Sequence, residues 1–176
     1  MTTLGSIWFR VLTAGAGMLY HPPMRVALGA DHAGYETKEA VRRLLDDLAV
    51  PYEDLGTFSA ASVDYPDFAA AVARGVSSGA YERGILVCGT GIGMAIAANK
   101  IPGIRAATVG DVESARLSRA HNDANVLALG GRVTPIDRAL DIVKTFLDTP
   151  YDGGRHQQRL DKIARLEAQA PARGAV

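Results

Sequence analysis

Residues 85–100 read ILVCGTGIGMAIAANK. The apolar run Gly84-Ile85-Leu86-Val87 predicts a buried strand, and it ends in Cys88, the only cysteine in the chain. Gly89, Gly91 and Gly93 follow at alternate positions, with Thr90 between the first two, and residues 94–98 read as a helix. Strand, tight glycine turn and helix is how an α/β domain presents bare backbone amides to an anion, with the helix start adding positive potential. The same surroundings favour a thiolate. A purely structural turn after a strand is the plain alternative.

Outward from this unit the rhythm repeats. Residues 24–30 form an apolar run of the buried-strand type. Asp31-His32-Ala33-Gly34 turns the chain, and residues 35–48 have helical periodicity through Ala40, Val41, Leu44 and Leu48. Residues 52–55 are a short strand, placed near an edge by Glu53 and Asp54. Pro66 suits the first turn of a helix over 67–77. Downstream, Pro102-Gly103 stops the central helix and residues 104–109 form a fourth strand. Asp111 can cap a helix over 112–119. Residues 125–129 form the fifth strand, closed by Gly130-Gly131. Pro135 starts a helix with the apolar face Ile136, Leu140, Val143 and Leu147. Residues 155–169 read as a charged terminal helix with the thin stripe Leu160, Ile163 and Leu166. Five alternations predict a three-layer α/β/α sandwich around a five-stranded parallel sheet, Rossmann-like in plan. Ligands in such folds bind at the carboxyl ends of the strands. Asp31-His32, Cys88 to Gly93, and Gly130 to Arg132 fall there.

The 176 residues suit one domain, taken here as 24–168, with a poorly ordered extension at 1–23 and a fraying tail at 169–176. Met24 is a candidate natural start. Nineteen basic residues balance nineteen acidic ones. No basic excess invites nucleic acid, and no acidic excess suggests a disordered module. A lone cysteine excludes an internal disulfide framework and fits a reducing, cytoplasmic compartment. Residues 1–23 lack the basic start of a secretory signal, and no later run is apolar enough to span a membrane. A polar terminal helix on a compact domain suits packing on a partner subunit, a dimer first by symmetry.

Cys88 could be a nucleophile, a general base, or simply a core cysteine. A cysteine-phosphatase loop wants an arginine six positions on, where Met94 stands. A nucleoside-triphosphate loop wants Gly-Lys-Ser/Thr, which Met94-Ala95 does not supply. A dinucleotide fingerprint belongs after the first strand, not the third. His32 and His121 are the other acid–base candidates; a solvent-exposed turn and a helix cap are their plain alternatives. His156, next to Arg155, has no comparable context. The four histidines include no i,i+4 pair and no zinc spacing, so no metal and no cofactor is expected. Arg132, Arg155 and Arg159 are the anion candidates, the last two four apart on one face of the final helix. A solvated helix face is their plain alternative. Lys100 reads as a helix cap.

Seven pieces in order carry a resemblance: Gly29 to Gly34, Val63 to Pro66, Cys88 to Gly93, Ile96 to Lys100, Gly103 to Ala106, Ser118 to Leu127, and Gly153 to Arg159. The chain resembles the type B ribose-5-phosphate isomerases, a family that also contains the galactose-6-phosphate isomerase subunits. The resemblance implies interconversion of ribose 5-phosphate and ribulose 5-phosphate through a cis-enediolate, without cofactor or metal. It implies that Cys88 is the base, that Thr90 helps handle hydroxyl protons, and that His121 opens the furanose ring. Amides around Gly89, Gly91, Ile92 and Gly93 would hold the enediolate oxygen. Asp31, His32, Tyr65 and Asn122 would line the sugar site, and Arg132, Arg155 and Arg159 would grip the phosphate. The family is dimeric with sites shared between two subunits, so a homodimer is implied, and the pairing of two dimers into a tetramer stays open. One branch places a glutamate base where this chain has Met94, so the resemblance is to the cysteine branch. The 23-residue extension departs from the family. Three rivals remain open: an isomerase of a six-carbon aldose phosphate such as allose 6-phosphate, a noncatalytic phosphosugar- or nucleotide-binding domain, and a scaffold assembled through the last helix.

Overall fold

The computed structural model describes residues 24–169; the expectations for 1–23 and for 170–176 lie outside the described residues. Five strands, β1 (Val26–Ala30), β2 (Tyr52–Asp54), β3 (Arg83–Cys88), β4 (Ala106–Thr108) and β5 (Val126–Gly130), alternate with helices. The helices are α1 (Tyr35–Asp47), α2 (Tyr65–Ser77), α3 (Ile92–Ala98), α4 (Val112–Ala120) and α5 (Ile136–Asp148). A 3-10 turn, Gly154–His156, then leads into α6 (Gln157–Ala168). The strand order is β2-β1-β3-β5-β4 and every pairing is parallel. The three-layer architecture read from the sequence is the architecture observed, with β2 at an edge as its acidic residues required.

The three central strands are apolar at nearly every position because both of their faces are covered. Alternate residues serve opposite cores. Leu28, Ile85, Val87, Leu127 and Leu129 face Val41, Leu45, Ile142 and Phe146 of α1 and α5. Ala27, Leu86, Cys88, Val126 and Ala128 face Val72, Met94 and Ala98 of α2 and α3.

Three apolar faces differ from the sequence reading. In α5 the buried face is Ala139, Ile142, Val143 and Phe146, while Ile136 is 43% exposed and Leu140 and Leu147 are half-buried. Phe146 fixes that rotation, since its ring is the bulkiest apolar group the helix offers the core. Leu48 is the C-cap of α1 and is exposed, because the helix has already ended at Asp47. In α6 only Leu160 is buried; Ile163 and Leu166 face outward.

Lys38 of α1 is fully buried. Its ammonium pairs with Asp54 and with Glu39 (3.0 Å to the latter), between the rings of Tyr35 and Phe58. Removing one partner of such a pair strands the other charge. Lys38→Met is expected to lower stability by about 2 kcal/mol, less than for a fully sealed pair because Asp54 keeps some solvent; urea unfolding checks it.

The parallel topology gives the molecule two rims. Segments that follow a strand lie at the carboxyl rim. Helices run back antiparallel, so segments between a helix and the next strand lie at the amino rim. That polarity decides which candidate residues meet.

Candidate active site

At the carboxyl rim the turn after β3 takes the shape its glycines permit. Gly91 has φ +79°, and a Cβ there would sit 3.0 Å from the Leu129 carbonyl carbon. Only a glycine holds that left-handed conformation without strain. The conformation turns the Gly91 N–H toward Cys88 Sγ at 3.1 Å. A donor on the sulfur is a contact that strengthens when the sulfur is charged. Helix α3 is only seven residues long, so the anion cradle consists of turn amides more than of a helix field. Gly91→Ala is expected to cost about 1–2 kcal/mol of stability and to displace the sulfur's donor; denaturant unfolding and turnover of the same preparation check both.

The other carboxyl-rim residues gather around this turn. Cys88 is 5% exposed, at the end of β3 beside Gly130. Arg132 lies next to it: its N–H donates to the Gly89 carbonyl at 3.1 Å, and its side chain passes over Gly89. Tyr65 packs on Gly93 so closely that a Cβ there would be 2.7 Å from the ring. Thr90 and Ile92 are exposed. Asp31 is buried, with Oδ1 accepting from Ala33 N–H (2.9 Å) and Gly34 N–H (3.0 Å). His32 Nδ1 accepts the Val63 N–H at 3.3 Å. Met94, where an acid would have been a rival base, is fully buried in the α2–α3 core.

His121, Asn122, Arg155 and Arg159 are not there. His121 caps the C-terminus of α4, five residues before β5 begins. Beta-5 then climbs from Val126, beside Gly84, to Gly130, beside Cys88. Four strand steps put the two rims ~13 Å apart along the sheet. The sequence reading of Arg155 and Arg159 as residues on one face of the final helix needs correction. Arg155 belongs to the 3-10 turn and Arg159 to the first turns of α6, both at the amino rim. Both are exposed, and among the described residues neither forms an ion pair.

The amino-rim group has its own order. His121 stacks on His156, ring centroids 4.2 Å apart and planes 9° from parallel. The Asp152 N–H donates to the Ala120 carbonyl at 3.0 Å, tying the loop that carries His156 to the turn that carries His121. Beneath them Arg119, 2% exposed, donates to Asp123 Oδ1 (2.8 Å) and to the Ala124 carbonyl (2.6 Å), while Arg105 holds Asp123 Oδ2 at 2.8 Å. Burial first, then the charges of His121, Arg155 and Arg159, push His156 below the usual histidine range; Asp152 pulls the other way. Sequence reasoning missed His156. Its neighbour in the chain is Arg155, and nothing in the spacing reveals a ring 35 positions away as its stacking partner.

Side chains of His121, Asp152 and His156 bring potential metal-ligand atoms within 4.8 Å of one another. A metal lies in the plane of each imidazole that binds it. Two nearly parallel rings share no such position, so this geometry is that of a stack rather than a ligand set.

A groove of about 280 Å³ lies between β4, α4 and α6 at the same rim, lined by Asn99, Arg105, Ser118, Asn122 and Ile163 among others. No described helix is long and apolar enough to cross a membrane.

A family model described as Ribose/Galactose Isomerase matches residues 26–163. The chain is 46% identical over 143 residues to ribose-5-phosphate isomerase B of Escherichia coli, covering 81% of this chain and 96% of that one. It superposes on a ribose-5-phosphate isomerase B of Clostridium thermocellum with a TM-score of 0.82 at 50% identity, covering 83% and 99% of the two chains. A Mycoplasma genitalium ribose-5-phosphate isomerase B with bound ribulose-5-phosphate gives 0.81 at 39% identity, covering 85% and 100%. The matched span takes in the whole sheet and both rims, and on that ground the chain belongs to the ribose/galactose isomerase family and is an aldose–ketose isomerase of phosphorylated sugars.

Proposed function

We propose that the chain interconverts D-ribose 5-phosphate and D-ribulose 5-phosphate as a homodimer whose two sites are each built from both subunits. The observation that carries this reading is the split of the candidate residues between opposite rims. The sulfur and its amide cradle stand at one rim, and the imidazole and phosphate-type arginines at the other, ~13 Å away along the strands. A single chain cannot bring both to one small sugar. A second copy that lays its amino rim on the carboxyl rim of the first completes two equal sites by a two-fold axis. Exposed Ile163 and Leu166 on α6 are apolar surface that such packing would cover.

In this arrangement Arg155 and Arg159 of one subunit, with Arg132 of the other, hold the phosphate dianion. Binding energy spent on this remote group orients the sugar for reaction. Asp31, His32, Tyr65 and Asn122 line the sugar. Ring opening breaks the C1–O4 bond; O4 gains a proton and O1 loses one, with His121 moving the proton. Cys88 then takes the proton from C2, and the electron pair moves onto O1 to form a cis-enediolate. A carbon acid beside a carbonyl is weak, so the oxygen must be stabilised as its charge develops. The amides of residues 89–93 do this without reorganising. Cys88 returns the proton to C1, and Thr90 helps carry the hydroxyl proton between O2 and O1. The base works only while the cysteine stays reduced, which fits a reducing, cytoplasmic compartment.

The test is a coupled isomerisation assay over a panel of pentose and hexose phosphates. Ribose 5-phosphate should give the highest kcat/KM. A preference for allose 6-phosphate would replace the substrate and keep the chemistry, and no turnover of any aldose phosphate would remove the reading.

A further inference from the structure

We propose that His156 is a positioning residue for ring opening, holding the imidazole of His121 by face-to-face stacking so that both of its nitrogens stay free for the sugar. This rests on the reading of His121 given above. A ring opener must keep one nitrogen aligned with O1 and O4 while the C1–O4 bond breaks. A side chain at a helix C-cap has freedom to swing about its χ angles. Hydrogen bonding is the usual restraint on a histidine, and it uses up a nitrogen. Stacking restrains the plane and uses neither.

Four observations carry the inference. The rings are parallel to within 9° at 4.2 Å. His156 is 5% exposed and, among the described residues, its Nδ1 has no hydrogen-bond partner, so the ring is held by packing. Its backbone is anchored by its own N–H on the Gly153 carbonyl at 3.1 Å. The Asp152 N–H on Ala120 fixes the distance between the two supports. The charge states fit as well. Burial favours the neutral form of His156. A neutral π face then lies against His121 when that ring carries the proton it has taken from O1, an attractive arrangement of the cation–π kind. Two charged rings would repel there.

The competing role for His156, beside Arg155 and Arg159, is the phosphate grip. The experiment separates the two on the full-length protein. Ribulose 5-phosphate is acyclic, so deuterium wash-in at its C1 reports Cys88 chemistry and phosphate binding without ring opening. Net conversion of ribose 5-phosphate needs every step. His156→Ala should lower kcat for ribose 5-phosphate about ten-fold and leave C1 wash-in within about two-fold of wild type, while His156→Phe, which keeps a neutral ring, restores kcat to within about three-fold. Equal loss of both readouts in His156→Ala, no loss of conversion, or a phenylalanine variant no better than the alanine one overturns the proposal. If the alanine variant does not fold, His156→Phe decides alone: near-normal conversion supports stacking and a ten-fold loss refutes it. A wild-type protein that exchanges C1 of ribulose 5-phosphate but ignores ribose 5-phosphate would overturn the ring-opening role, whereas inactivity in both assays would remove the proposed function itself.

Discussion

Cys88→Ala is expected to reduce turnover of ribose 5-phosphate by about 10⁴-fold, because the proposed base is lost. The carboxyl rim offers few substitutes. His32 spends Nδ1 on the Val63 amide, and Asp31 spends Oδ1 on the turn it caps. Met94 is apolar and buried. Ribose 5-phosphate should still bind the variant, since the proposed phosphate and hydroxyl contacts use other side chains and backbone amides. Removing one small buried sulfur should cost stability only about 1 kcal/mol. The decisive pair of measurements is therefore kcat from the coupled assay and Kd from calorimetry on the same sample. Turnover within ten-fold of wild type would make Cys88 the core cysteine that its burial alone allows. Lost binding together with lost turnover would point to a collapsed turn, and Cys88→Ser, which keeps the volume, separates that case by restoring binding without turnover.

Much of this was legible in the chain because apolar runs and glycines act locally. Residues 85–87 and 126–129 are apolar without alternation, which is what a strand covered on both faces demands. Asp111 sits where its carboxylate can accept the Ser114 amide, and it does, at 2.8 Å. The failures share a physical cause: they depend on where elements meet. The face of α5 is set by the packing of Phe146 against β-strand residues far away in sequence. The stack of His121 on His156 depends on a loop reaching back to Ala120. The separation of the two rims was available in principle, since a residue between a helix and the next parallel strand must lie at the amino end. His121 between α4 and β5, and Arg155 after α5, both satisfy that condition. Residue types alone pointed to one cluster; chain direction divides it into two.

That division yields the prediction that best separates the proposed dimer from a self-contained monomer. Cys88→Ala is defective only at a carboxyl rim, and Arg155→Ala only at an amino rim. Each homodimer then carries two broken sites. Mixing the two after mild unfolding and refolding reassorts the subunits. In the mixed dimer one site receives both lesions, while the other pairs an intact Cys88 with an intact Arg155. Random reassortment makes half the dimers mixed, with one good site in two, so activity should return to about a quarter of wild type from two nearly inactive parents. Sites contained within single chains give no recovery at any ratio, because each subunit keeps its own lesion. Combining both substitutions in one chain sharpens the result. The double variant paired with wild type also leaves two of the four half-sites broken, but each site of that mixed dimer then has one lesion. Its mixed dimers should be inactive, and titrating it into wild type should depress activity below simple dilution. Restoration by the first mixture and suppression by the second are opposite in sign, and only sites assembled across a two-fold axis produce both.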